Sequence, residues 1–318
     1  MKGLYFEKEL QLKTNLDKPR PNKGESLIKV SLSSICNTDI EVLKGYKNFI
    51  GVLGHEFVGI VEESEDKNLI GKRVVGDINI GCGQCEFCKK GLNNHCTNRK
   101  ILGMKDKNGS FQEYITLPNE NIYIVPDCVS DLEAVFTEPL AAALEILEMK
   151  HIKPRDKVVI VGDGKLAQLI TQVISLTGCH LYIIGKHKDK LDFLKDKGEI
   201  ILLDEIEDQN LWRQFDMVID CTGNADGLQM AQDLVKARGS IVLKSTYNSS
   251  TNLNPTLWVV NEINIIGTRC GPMEAALRLL ERKLVSTDYL ISGIYSLEEY
   301  EKAFSKKNKF KSIIDMNK

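Results

Sequence analysis

No stretch of this 318-residue chain reaches about 18 consecutive apolar residues, so the sequence offers no membrane span. Nor is there a surplus of either charge: 42 Lys and Arg stand against 44 Asp and Glu, a formal net charge of -2. Nucleic acid and anionic membrane are therefore not expected as main partners. The opening MKGLYFEKEL lacks the apolar core of a signal peptide, which points to the cytoplasm. Internal repeats and low-complexity tracts are missing too, and the polar stretch NSSTNLNP (248–255) reads only as a loop. The nine cysteines are an odd number without an export signal, which argues against a disulfide framework.

What remains is ordinary globular material, 42% hydrophobic and 27% charged, long enough for two domains with cores of their own. The first third reads as strands between glycine-rich turns, at 26–35, 57–63, 73–80 and 109–118. From TEPLAAALEILEMK (137–150), where Pro139 suits a first helical turn, strands and helices alternate. KVVIVGDG, HLYIIG, FDMVIDCTG, SIVLKST and INIIGTR read as strands; KLAQLITQVISLTG, KDKLDFLKDKG and ADGLQMAQDLVKARG read as the helices between them. That alternation predicts an α/β domain with a parallel sheet covered on both faces. The end of the chain reads as two helices and a strand, which either complete that sheet or return to the first domain.

Four thiols crowd GCGQCEFCKKGLNNHC (81–96): Cys82, Cys85, Cys88 and Cys96. This spacing lets thiolates wrap one tetrahedral zinc, with Gly81, Gly83 and Gly91 giving the tight turns. A site closed by four sulfurs is structural. Among the other cysteines, Cys128, Cys179, Cys221 and Cys270 read as small core or near-core residues. Cys36 in CNTDIE (36–41), with His55 and Glu56 in GHEF (54–57), could instead supply the three ligands of an open, catalytic zinc. Core packing is the other reading of this Cys and His. VVIVGDGKLAQLI carries Gly162-x-Gly164-x-x-Ala167 between strand and helix, the pattern of a dinucleotide turn, with Lys165 and Leu166 opening the helix.

C-x-T-D at 36–39, G-H-E at 54–56, the four-cysteine lobe, EPLA at 138–141 and the turn at 162–167 follow one another in a familiar order. The sequence resembles the zinc-dependent alcohol dehydrogenases of the medium-chain dehydrogenase/reductase superfamily, with motifs nearest the polyol and sugar branch. The resemblance implies a GroES-like, mostly β catalytic domain at 1–138 and 270–318 with a structural-zinc lobe at 81–97. It also implies a Rossmann domain, a doubly wound parallel sheet, at 139–269.

Two zinc ions per chain are implied, with Cys36 and His55 as catalytic ligands and Glu56 or Glu138 completing the set. Glu138 also reads simply as an acid favoured at a helix start. Asp39 would orient His55, and Thr38 would relay the substrate proton. Glu41 departs from the alcohol enzymes, which have histidine there. Cys221, Thr222 and Gly223 would border the nicotinamide ribose. The implied reaction is hydride transfer between an alcohol, polyol or sugar and a nicotinamide cofactor, by a homodimer or homotetramer. A reductase of activated carbonyls and a nucleotide-binding regulator without turnover are the competing readings. In NAD-binding units an acid stands about 20 residues past the glycine turn. Here Gly185, Lys186, His187 and Lys188 occupy that place, so NADP(H) is expected over NAD(H).

Overall fold

The computed structural model describes residues 1–45, 48–246, 253–305 and 307–318; positions 248–252 of the expected polar loop lie outside them. The chain divides into two compact units, Met1–Glu138 with Met273–Lys318, and Pro139–Pro272. Among the described residues no helix is long and apolar enough to cross a membrane.

The first unit is built on strand Glu25–Ser34, which buries Leu27, Ile28, Val30 and Leu32. It pairs antiparallel with Glu56–Ser64, Tyr114–Pro118 and Lys311–Asp315 in a seven-stranded sheet. The carboxy-terminal strand therefore returns to the first unit, the choice that periodicity left open. Register does the positioning: Ser34 lies opposite Glu56 on one side and Ile313 on the other. Two expectations are corrected. Within 109–118 only Tyr114–Pro118 is strand, because Gly109, Ser110 and Phe111 donate their amides to the Val52, Gly54 and Leu53 carbonyls instead. Residues 73–80 split into Arg73–Gly76 and Asn79–Ile80, which join different sheets.

The second unit holds a six-stranded parallel sheet. Lys157–Val161 lies at its centre with His180–Gly185 and Glu199–Leu202 to one side. Phe215–Asp220, Val235–Leu243 and Asn264–Gly267 lie on the other. In chain order this is 3-2-1-4-5-6, the doubly wound arrangement whose ligand crevice lies at the carboxyl ends of the strands. Both faces are covered, so the central strand reads KVVIV with four buried residues. The helix expected at 188–198 is shorter: Lys188–Leu191 followed by one 3-10 turn.

Candidate metal centres and nucleotide site

Cys36 ends the run from strand Glu25–Ser34 and caps helix Asn37–Leu43. Its Sγ accepts the Thr38 amide at 3.5 Å, and Asp39 Oδ2 accepts the Cys36 amide at 2.8 Å, a reciprocal capping box. The other Asp39 oxygen faces Gly54 N at 3.3 Å and His55 Nδ1 at 3.2 Å. A carboxylate only accepts, so Nδ1 carries a proton, which leaves Nε2 as the nitrogen that a metal could take. Burial disfavours the charged ring, but Asp39 and then Cys36 outweigh it and raise the His55 pKa well above the ordinary value.

Glu56 is fully buried. Its Oε2 accepts from Ser34 Oγ and from Lys311 Nζ, itself buried, while Oε1 is buried without a partner. Burial works against the Lys311 ammonium, and the charges of Glu56 and Cys36 more than restore it, leaving its pKa raised. Donor atoms of Cys36, His55 and Glu56 lie within 4.8 Å of one another. One thiol, one imidazole with Nε2 left to a metal and one orphaned carboxylate oxygen suit a zinc with an open position.

Glu138 is half-buried in the first turn of helix Thr137–Met149 and stands outside that group of three. Burial and the Glu56 charge push its carboxyl up to about 7 against the pull of His55 and Lys311, so it feels the site electrostatically. Thr38 Oγ1 lies 3.6 Å from Cys36 Sγ, beside the ligands. Glu41 is not brought to them; its carboxylate pairs with Lys44 Nζ at 2.7 Å.

In the lobe, Cys82, Cys85, Cys88 and Cys96 bring their sulfurs within 4.8 Å of one another, with Cys85 and Cys88 Sγ 3.5 Å apart. Sulfurs bound tetrahedrally at about 2.3 Å would be about 3.8 Å apart, so the set fits zinc. A side chain at Gly81 would put its Cβ 2.9 Å from Cys88 Sγ, which explains the glycine. The Cys88 backbone N–H pulls the Cys85 thiol down to about 6, whereas lost hydration and then Cys85 push Cys88 up to about 11. Crowded sulfurs that cannot all ionise together call for a cation. Cys128 is exposed rather than near the core, a correction: it sits in the turn before helix Asp131–Ala134, with its sulfur 4.0 Å from the Glu281 carbonyl. Cys179, Cys221 and Cys270 are half-buried.

In the second unit Gly162 has φ +128°, and a Cβ there would lie 3.0 Å from the Cys221 carbonyl. Gly164 caps helix Lys165–Ser175, and a Cβ on it would meet nothing within 4 Å. Ala167 is fully buried beneath the turn. Open space at the start of an 11-residue helix, with Lys165 and Leu166 in its first turn, suits a pyrophosphate. Cys221 donates its amide to Val161, placing 221–223 beside this turn. Thr222 is held by its N and Oγ1 on Asp220 Oδ1, and the Gly223 amide by Ser245 Oγ.

Three residues escaped the sequence reading. Asp163, between the two glycines, accepts the Lys186 and His187 amides at 2.8 Å each and faces His187 Nδ1 at 2.9 Å. The expectation that no carboxylate stands beside Gly185 is therefore corrected: one arrives from 22 positions earlier in the chain. A polar residue inside a glycine turn was the available signal. Lys311 and Ser34 escaped likewise.

Residues 22–127 match the family described as Alcohol dehydrogenase GroES-like domain. The chain is 29% identical over 328 residues to D-arabitol-phosphate dehydrogenase of Enterococcus avium, covering 95% of this chain and 93% of that one. It is 29% identical over 306 residues to a sorbitol dehydrogenase of Halalkalibacterium halodurans, covering 90% and 89%. The fold matches that of an alcohol dehydrogenase, RspB of Escherichia coli CFT073, solved with NADH, at a TM-score of 0.90, 24% identity and 99% coverage of both chains. Residues 22–127 thus carry an alcohol dehydrogenase GroES-like domain, and nearly the whole chain is similar to polyol dehydrogenases.

Proposed function

We propose that this protein is a zinc-dependent dehydrogenase that moves a hydride between the carbinol of a polyol or sugar and a nicotinamide cofactor. The observation that carries the reading is the convergence of Cys36, His55 and Glu56, with Glu56 Oε1 buried and unpartnered. The named activities of the arabitol-phosphate and sorbitol dehydrogenases support the polyol class. Cys36, His55 and Glu56 would hold the catalytic zinc, with Glu138 close enough to bear on it electrostatically; the four-cysteine lobe would hold a second, structural ion. Zinc supplies a Lewis acid for the substrate oxygen, and the nicotinamide supplies the hydride acceptor.

The chain's own part is positioning. Asp39 fixes the ring of His55 and, through the helix cap, the sulfur of Cys36. Ser34 and Lys311 hold one oxygen of Glu56 and leave the other free. Thr38 Oγ1, beside Cys36, takes the hydroxyl proton of the substrate.

NADP(H) is proposed over NAD(H), supported by the exposed Lys186, His187 and Lys188 at the end of strand His180–Gly185. A homodimer or homotetramer in the cytoplasm is proposed as well. Strand Asn264–Gly267 ends the order of its sheet, with exposed Val259, Val260 and Ile265 on and before it.

The test is a panel of polyols, aldoses and secondary alcohols with both cofactors, alongside metal analysis. Two zinc ions per chain and turnover of a polyol are expected. Cofactor binding without hydride transfer to any of them would reject the enzymatic reading.

A further inference from the structure

At the end of strand His180–Gly185 a buried carboxylate sits among cations. Asp163 Oδ2 accepts the Lys186 and His187 amides and faces His187 Nδ1; Oδ1 lies 3.6 Å from Lys190 Nζ. The Gly162 amide, on the Ile184 carbonyl at 2.8 Å, pins the glycine turn against this strand. Gly185 has no room for a side chain. A Cβ there would lie 2.8 Å from Asp163 Cβ, 2.9 Å from Leu191 Cδ2 and 3.0 Å from Asp163 Oδ2. The acid that NAD-binding units carry at this strand end cannot be housed at 185, and Asp163 fills its volume from the other side.

We propose that Asp163 is a specificity-determining residue for the cofactor: it replaces the missing strand-end acid and weighs against a 2′-phosphate. This rests on the nicotinamide reading above and deepens it. Three features make the carboxylate count. Two backbone amides that could otherwise cradle a phosphate are already occupied by Asp163. A 2′-hydroxyl can donate to a carboxylate oxygen, whereas a 2′-phosphate brings like charge against it. The carboxyl also stays ionised at neutral pH: burial opposes this, but His187, the Lys186 amide and Lys190 hold its pKa below the usual range. Lys186, His187 and Lys188 attract the phosphate, Asp163 offsets them, and the preference for NADP(H) stays modest.

The experiment is calorimetric titration of the zinc-loaded protein with NADH, NADPH, ADP-ribose and 2′-phospho-ADP-ribose. In the unmodified protein, 2′-phospho-ADP-ribose binds no more than about 10-fold tighter than ADP-ribose. A larger preference overturns the proposal, and this arm needs no variant to fold. In Asp163→Asn, the affinity for NADPH relative to NADH rises on the order of 10-fold, and the rise shrinks with added salt. An unchanged ratio, or equal weakening of both cofactors, makes Asp163 a purely structural clamp and overturns the proposal. Failure of all four ligands to bind overturns the nicotinamide reading as well, whereas tight binding with an unaltered ratio overturns the role of Asp163 alone.

Discussion

At Asp39 one carboxylate oxygen holds the Cys36 amide while the other faces His55 Nδ1, so a single side chain orients both of these proposed zinc ligands. Asp39→Asn is expected to weaken zinc affinity at the catalytic site by about 10- to 100-fold, read by competition with a chromogenic chelator. Unaltered affinity would reduce Asp39 to a helix cap. His55→Ala removes a ligand but no strand pairing; turnover and one zinc per chain should be lost together with little change in Tm. Lys311 is the opposite case. Lys311→Met leaves the buried Glu56 carboxylate without its cation and should cost about 3–5 kcal/mol in thermal or denaturant unfolding. A neutral effect would mean that Ser34 alone sustains Glu56.

The lobe at 81–97 is the element whose fold should depend on the proposed structural zinc. Among the described residues it contributes one four-residue helix, Glu86–Lys89, and one 3-10 turn, Asn93–His95, and the strand pair Asn79–Ile80 and Lys100–Ile101 flanks it. Little apolar burial is available to hold such short pieces, so at the proposed zinc site metal binding energy would serve as folding energy. Cys85→Ser should lose one zinc and lower Tm while the other zinc stays. The glycine turn and strand His180–Gly185 form a second such element, clipped by Asp163. A carboxyl whose folded pKa is depressed adds stability above its unfolded pKa, and that stability is lost as pH falls through the folded value. The destabilisation by Asp163→Ala should therefore be full at pH 7 and shrink in acid below the ordinary carboxylate range; a difference in Tm independent of pH would contradict the clip.

For the whole molecule, association is the property that a mutation can address. Val259 and Val260 are 79% and 71% exposed before edge strand Asn264–Gly267, so the Val259→Glu, Val260→Glu pair should shift the protein to monomer in light scattering. What the sequence determined by itself was local chemistry. The spacing of Cys82, Cys85, Cys88 and Cys96, the Cys-x-Thr-Asp and Gly-His-Glu runs and the Gly162–Ala167 turn are each readable because their members lie within a few residues of one another. The alternation of apolar strands and helices likewise announced the parallel sheet, since burial on both faces leaves continuous hydrophobic runs. Only the tertiary structure could pair Lys311 with Glu56 across 255 positions, through the antiparallel return of the last strand, or carry Asp163 to the amides of 186 and 187. It also turned Glu41 onto Lys44 and left Glu138 outside the cluster of Cys36, His55 and Glu56. Partners of that kind are fixed by strand register and by where a loop returns in space, and neither leaves a periodic trace in the chain.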